Sequence, residues 1–202
     1  METKQIKRLS VLGLLLIFAS PILVSWWLLN YTDYSRDDAV ASHGDLIVPP
    51  RPLQNIALIE LAKQSNQQHS LHGKWSLIYL NEGGCEKDCG DNLYKMRQLR
   101  LAVGEYAPRI QRVLVNTGVV ASPLSDDMLE HFPGQLLLIA EEHAQLSSLK
   151  IFARTKEENP VLKKRLYLID PLGNLMMSYP ADTEPAGIIK DLKRLLRYSR
   201  IG

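Results

Sequence analysis

The sequence predicts an α/β domain of three layers, with helices on both faces of a mixed sheet, preceded by one N-terminal transmembrane helix. Three observations carry this. Strand-like and helix-like segments alternate from about Ile56 onward, the last two strand-like runs read as a hairpin, and residues 9–31 hold no charge.

The uncharged stretch comes first. About 20 apolar residues cross a bilayer core, and "LSVLGLLLIFASPILVSWWLLNY" is long enough. Trp26, Trp27 and Tyr31 stand at its far end, where amphipathic rings favour the membrane interface. Lys4, Lys7 and Arg8 lie before it, and Asp33, Asp37 and Asp38 after it, so the positive-inside rule leaves the tail in the cytoplasm. A cleaved signal peptide, with "AVA" at 39–41 as its site, is the alternative. Signal-peptide apolar regions are typically about 7–15 residues, so this one is too long and the alanines too distant. Pro21 is tolerable in a membrane helix. The expected organisation is a cytoplasmic tail at 1–8, an anchor at 9–31, a linker at 32–53 and an extracytoplasmic domain at 54–202.

The linker is charged and then proline-rich, "VPPRPL" at 48–53 favouring extended polyproline geometry. "LIEL" at 58–61 is a candidate strand, and "WSLIYL" at 75–80 suits a strand buried on both faces. Residues 87–103 carry apolar side chains at near-helical spacing and stop before Gly104, a C-cap residue. "RIQRVLVN" at 109–116 reads as a strand, "SPLSDDMLEHF" at 122–132 as a helix and "QLLLIA" at 135–140 as a strand. A helix is expected over 141–153. "RLYLIDPLGNLMMSYP" at 165–180 is a hairpin turning through Asp170–Asn174. An amphipathic helix over 183–199, with Ile188, Ile189, Leu192, Leu195 and Leu196 on one side, closes the order. The resulting β-α-β-α-β-α-β-β-α succession is the layout of a thioredoxin-like domain. Its basic residues, Lys190, Lys193, Arg194, Arg197 and Arg200, suit a solvent-facing surface and the helix dipole.

A net charge of +2 spread over 202 residues is no nucleic-acid footprint, and no such partner is expected. The chemistry rests on two cysteines, Cys85 and Cys89, which follow a strand and a glycine pair and open a helix. Partial positive charge at a helix N-terminus stabilises a thiolate. Two sulfurs spaced i, i+4 on one helix face can close a disulfide or hold one soft metal ion. Lys87 favours the thiolate, while Glu86 and Asp88 oppose it. A purely structural disulfide is the bland alternative, although so short a loop gains little from cross-linking.

"LHGKWSLIYLNEGGCEKDC" is similar to the corresponding segment of the Sco (SenC) copper chaperones of cytochrome c oxidase assembly, in which "GKW", an apolar strand and C-x3-C follow in this order. "LYLIDPLGNL" at 166–175 resembles that family's "YLIDPDG" hairpin, and the single anchor fits too. The resemblance implies a membrane-anchored thioredoxin-like assembly factor in the bacterial inner membrane, its domain in the periplasm. An oxidase subunit or another assembly factor would be its partner. It also implies copper bound by two cysteines and a histidine, here Cys85, Cys89 and a position near Leu162. No histidine stands there; Lys163, Lys164 and Arg165 do. The family's prolines after the cysteines are absent as well, with Glu86 and Gly90 in their places. His43, His69, His72, His131 and His143 lack ligand spacing to the cysteines. The expectation is therefore thiol–disulfide exchange, with Cys85 attacking and Cys89 resolving. Two-cysteine Cu(I) binding, or a scaffold with a structural disulfide, is the alternative.

Overall fold

The computed structural model describes residues 2–31, 42–53, 58–60, 70–117, 130–140, 149–155 and 157–202. The chain divides into two compact units, Met1–Ala41 and Ser42–Gly202.

The first unit contains helix α1, Glu2–Tyr31, with Pro21 inside it. From Leu14 to Trp27 its large apolar side chains stand 54–71 % exposed. Among the described residues no helix is long and apolar enough to cross a membrane.

The second unit is built on a seven-stranded sheet: β1 (Asp45–Pro52), β2 (Leu58–Glu60), β3 (Trp75–Asn81), β4 (Ile110–Asn116), β5 (Gln135–Ala140), β6 (Leu166–Ile169) and β7 (Asn174–Tyr179). Their order is β1-β7-β6-β3-β4-β5-β2. β3, β4 and β5 run parallel, and the remaining pairings are antiparallel, so the sheet is mixed as expected. Every residue of β3 is buried, which is why its sequence is nearly all apolar rather than alternating.

Helix α2, Lys87–Ala102, returns the chain from β3 toward the start of β4. It ends at the C-cap Val103, and Gly104 follows at φ +62°, the left-handed position that terminates helices at low cost. Helix α3, Pro185–Tyr198, begins with proline at its first position and contacts α2. Both helices cover one face, where Leu77, Tyr79, Ile110, Leu114 and Leu168 meet Leu93, Met96, Leu99, Ile188 and Leu192. The opposite face buries Ile78, Leu80, Val113, Tyr167 and Ile169 against Leu53, Leu71, Leu149 and Phe152. There Phe152 meets Tyr167 edge-on, with ring centroids 4.9 Å apart.

Three sequence expectations shift. The second half of the 32–53 segment is not a free polyproline linker: Asp45–Pro52 pairs with β7, with an irregularity between Leu46 and Arg51. Prolines without N–H groups are tolerated there because β1 is an edge strand. Arg109 belongs to a 3-10 turn, Gly104–Arg109, so the strand starts at Ile110. Of the expected 141–153 helix, 141–148 lies outside the described residues and Lys150–Phe152 forms a 3-10 turn. Most of the expected 122–132 helix also lies outside them; Glu130 and His131 are helical.

Candidate functional site

Cys85 and Cys89 form a disulfide with a Cα–Cα distance of 5.1 Å, within the ordinary range for such bonds. Helical geometry begins only at Lys87, so the two cysteines do not share a helix face. Cys85 lies in the approach to α2 and is half-buried, while Cys89 sits in its first turn and is 3 % exposed. Both pack at the margin of the core that α2 and α3 cover.

The loop carrying Cys85 is held from beneath by two buried amides that the sequence reading did not single out. Asn81 and Asn116 end β3 and β4 as register partners. Asn81 Nδ2 donates to the carbonyls of Gly83 at 3.1 Å and Gly84 at 3.4 Å. With the Asn116 amide oriented to satisfy its neighbours, its nitrogen donates to the carbonyls of Gly83 and Asn81, each at 3.1 Å. Gly83 adopts φ +77°, the turn that brings the chain from the sheet into the cysteine loop. A signal was present: the strand-like runs "WSLIYLN" and "IQRVLVN" both end in asparagine, whose side chain readily hydrogen-bonds nearby backbone at a turn.

Lys164 supplies the long-range contact. Its ammonium donates to the carboxylate of Asp88, which lies between the two cysteines. Lys164 stands at φ +50°, a conformation that costs a non-glycine residue about 1 kcal/mol, at the end of the turn before β6. Hydrogen bonding from Lys164 holds the Asp88 carboxyl below its ordinary value, and the same bond raises the Lys164 ammonium. Tyr79, beneath them, has its phenol raised by burial, with Asn92 and Lys164 opposing.

The sign of the pH dependence follows from those shifts. Asp88 favours the folded contact above the ordinary carboxylate pKa of about 3.9 and loses it as pH falls through its lowered value. Lys164 favours it below about 10.4 and loses it as pH rises through its raised value. Carbon NMR titration of Asp88 should give a midpoint below about 3.9 that returns to the ordinary value in Lys164→Ala. An unchanged midpoint in that variant would show the pair to be without effect.

The neighbouring cations separate. Arg165 turns away to Asp45 and to Ser178 Oγ at 3.2 Å, and Asp45 is shared with Arg154. Lys163 and Leu162 line an open groove with Arg154, Thr155 and Glu158, and Leu162 is 69 % exposed. Among the three cations expected around the site, Lys164 alone is shown paired beside the cysteines. His43 binds Asp191, its Nδ1 at 3.1 Å, and His72 Nδ1 lies 2.9 Å from Ser70 Oγ. His131 is exposed before β5, and His69 and His143 lie outside the described residues. Among the described residues no three His, Cys, Asp or Glu side chains form a group able to hold a metal. Among the described residues the donors brought together are the two cysteine sulfurs, two of the three ligands such a copper site uses.

Residues 75–199 match the family model described as "Transmembrane-like, thioredoxin-like, C-terminal domain". No curated protein matches the chain. Among solved structures the chain is similar to yeast Sco1 with copper bound, at 18% identity and TM-score 0.57, covering 79% of this chain and 96% of that one. It is similar to Arabidopsis thaliana ScoI with copper bound, at 17% identity and TM-score 0.55, covering 74% and 98%. BsSco, described as a Sco-family protein of cytochrome c oxidase assembly with a disulfide switch, aligns at 14% identity and TM-score 0.56, covering 75% and 96%. At these identities the likeness establishes the fold.

Proposed function

The chain belongs to the family defined by a transmembrane-like, thioredoxin-like C-terminal domain, its fold is Sco-like, and from that premise we propose that it is a membrane-anchored thiol–disulfide exchange factor in oxidase assembly. The observation that carries this reading is the asymmetry of the Cys85–Cys89 pair. The two sulfurs are within bonding reach at the strand-to-helix junction, one half-buried and outside the helix, the other buried in its first turn.

In the reduced pair, Cys85 attacks a partner disulfide as its thiolate. The new bond joins Cys85 to one partner sulfur, and the other leaves as a thiolate. Cys89 then attacks the Cys85 sulfur, closing the intramolecular disulfide and releasing the second partner thiolate. Two electrons pass to the partner; the relative potentials of the two couples set the direction. The N-cap Glu86 makes no side-chain capping bond, which leaves the partial positive charge of the first-turn N–H groups of α2 beside Cys85. That field favours a Cys85 thiolate, and the Lys164 ammonium offsets the opposing carboxylate of Asp88.

Copper is the cargo of the alternative reading, since two of the similar structures hold it. The reduced cysteines would offer it two sulfur donors, and the described residues group no third with them. The anchor at 9–31 is supported by its uncharged length and by the exposed apolar side chains of α1. The charges on either side favour a periplasmic domain in a bacterial inner membrane. An oxidase subunit or fellow assembly factor is the corresponding partner.

Redox titration of the full-length protein against glutathione or dithiothreitol, read by thiol alkylation, tests the exchange reading. The pair should titrate above about −300 mV, with the exchange-active couples. A potential well below that value would assign the bond to structure and sink the proposal.

A further inference from the structure

A second polar centre lies on β4, away from the dithiol. Arg112 is 3 % exposed, on the sheet face that α2 covers, and its register partners are Leu77 and Gln135. It stands four residues before Asn116, about 13 Å along the strand. Arg112 Nη2 donates to the Pro133 carbonyl, but its Nε and Nη1 are buried and among the described residues have no hydrogen-bond partner. Two further arginines act on it. Arg97 on α2 donates to the His131 carbonyl at 3.3 Å, and Arg100, one turn on, donates from Nε to the Ile110 carbonyl at 2.8 Å. Burial and these two like charges all act against the Arg112 cation. Among the described residues none of the three arginines has a carboxylate partner.

A guanidinium does not escape by losing its proton. Burying it unpaired is strongly unfavourable, and two unsatisfied donor nitrogens and two like charges add to that. Water would satisfy the donors and leave the charge uncompensated; an anion does both. We propose that Arg112, flanked by Arg97 and Arg100, is a binding site for a small oxyanion of the phosphate class. At 3 % exposure Arg112 leaves no opening for a bulky ligand. Gln135, on the neighbouring strand, has a buried Oε1 without a donor. That acceptor suits an oxyanion that retains a hydroxyl, as hydrogen phosphate does.

The test uses the full chain in neutral phosphatidylcholine nanodiscs with inorganic phosphate as the probe. Phosphate at tens of millimolar should raise the unfolding temperature by about 5 °C over chloride at equal ionic strength. The Arg112 Nε–H resonance should shift saturably over the same range. Arg112→Gln should abolish both effects. Arg97→Gln combined with Arg100→Gln, at half-buried positions, should weaken binding about tenfold or more and serves should the first variant not fold. Equal unfolding temperatures in phosphate and chloride with an unmoved Arg112 signal would overturn the site. So would a phosphate effect that persists undiminished in the Arg97/Arg100 variant.

Discussion

Replacing Cys89 with serine should trap a mixed disulfide between Cys85 and the partner in membranes, visible as a reducible band of higher mass. Replacing Cys85 with serine should trap nothing. The asymmetry follows from position: Cys85 precedes the helix and is half-buried, whereas Cys89 is 3 % exposed within the first turn. A partner disulfide approaching from solvent meets the first sulfur, and the second acts only within the molecule. Both variants should lose net exchange to background, because each removes one of the two sulfurs that turnover needs. Equal adducts in the two variants would reverse the assigned roles, and none in Cys89→Ser would remove them.

The second large effect concerns the helix that carries Cys89. Leu99→Ala should cost about 2–5 kcal/mol, the range for emptying a packed leucine site. Leu101→Ala should change stability by no more than about 0.5 kcal/mol. Leu99 is fully buried beneath α2 among Met96, Ile110 and Leu114, while Leu101 is 56 % exposed on the same helix. Guanidinium unfolding followed by circular dichroism separates them. The midpoint should fall for Leu99→Ala at unchanged slope and hold for Leu101→Ala. Equal losses would mean that α2 packs through a different face. Because α2 holds Cys89 in its first turn, the same packing fixes one half of the dithiol.

Much of this architecture was legible beforehand. The buried strand Trp75–Asn81, the helix from Lys87 and the closing Asp170–Asn174 hairpin announced themselves through apolar runs, helical spacing and turn residues. Those signals are local, and a seven-stranded sheet built from them has few places to put each element. The edge strand at Asp45–Pro52 was not legible, because its three prolines point to a linker and its pairing partner lies over 120 residues away. Nor was the support of the cysteine loop, since Asn81 and Asn116 become partners only when β3 and β4 align.

The sequence by itself determined that two thiols would stand at a strand-to-helix junction after a long uncharged stretch. Hydrophobic periodicity and the rarity of cysteine suffice for that, because both act over a few residues. Only the tertiary structure decided which sulfur is reachable, which lysine meets Asp88 and which arginine is buried without a counter-charge among the described residues. Lys163, Lys164 and Arg165 are adjacent and carry the same charge at neutral pH. They face a groove, the dithiol and Asp45 respectively. Electrostatic partnership depends on through-space distance and burial, and consecutive residues can point in different directions.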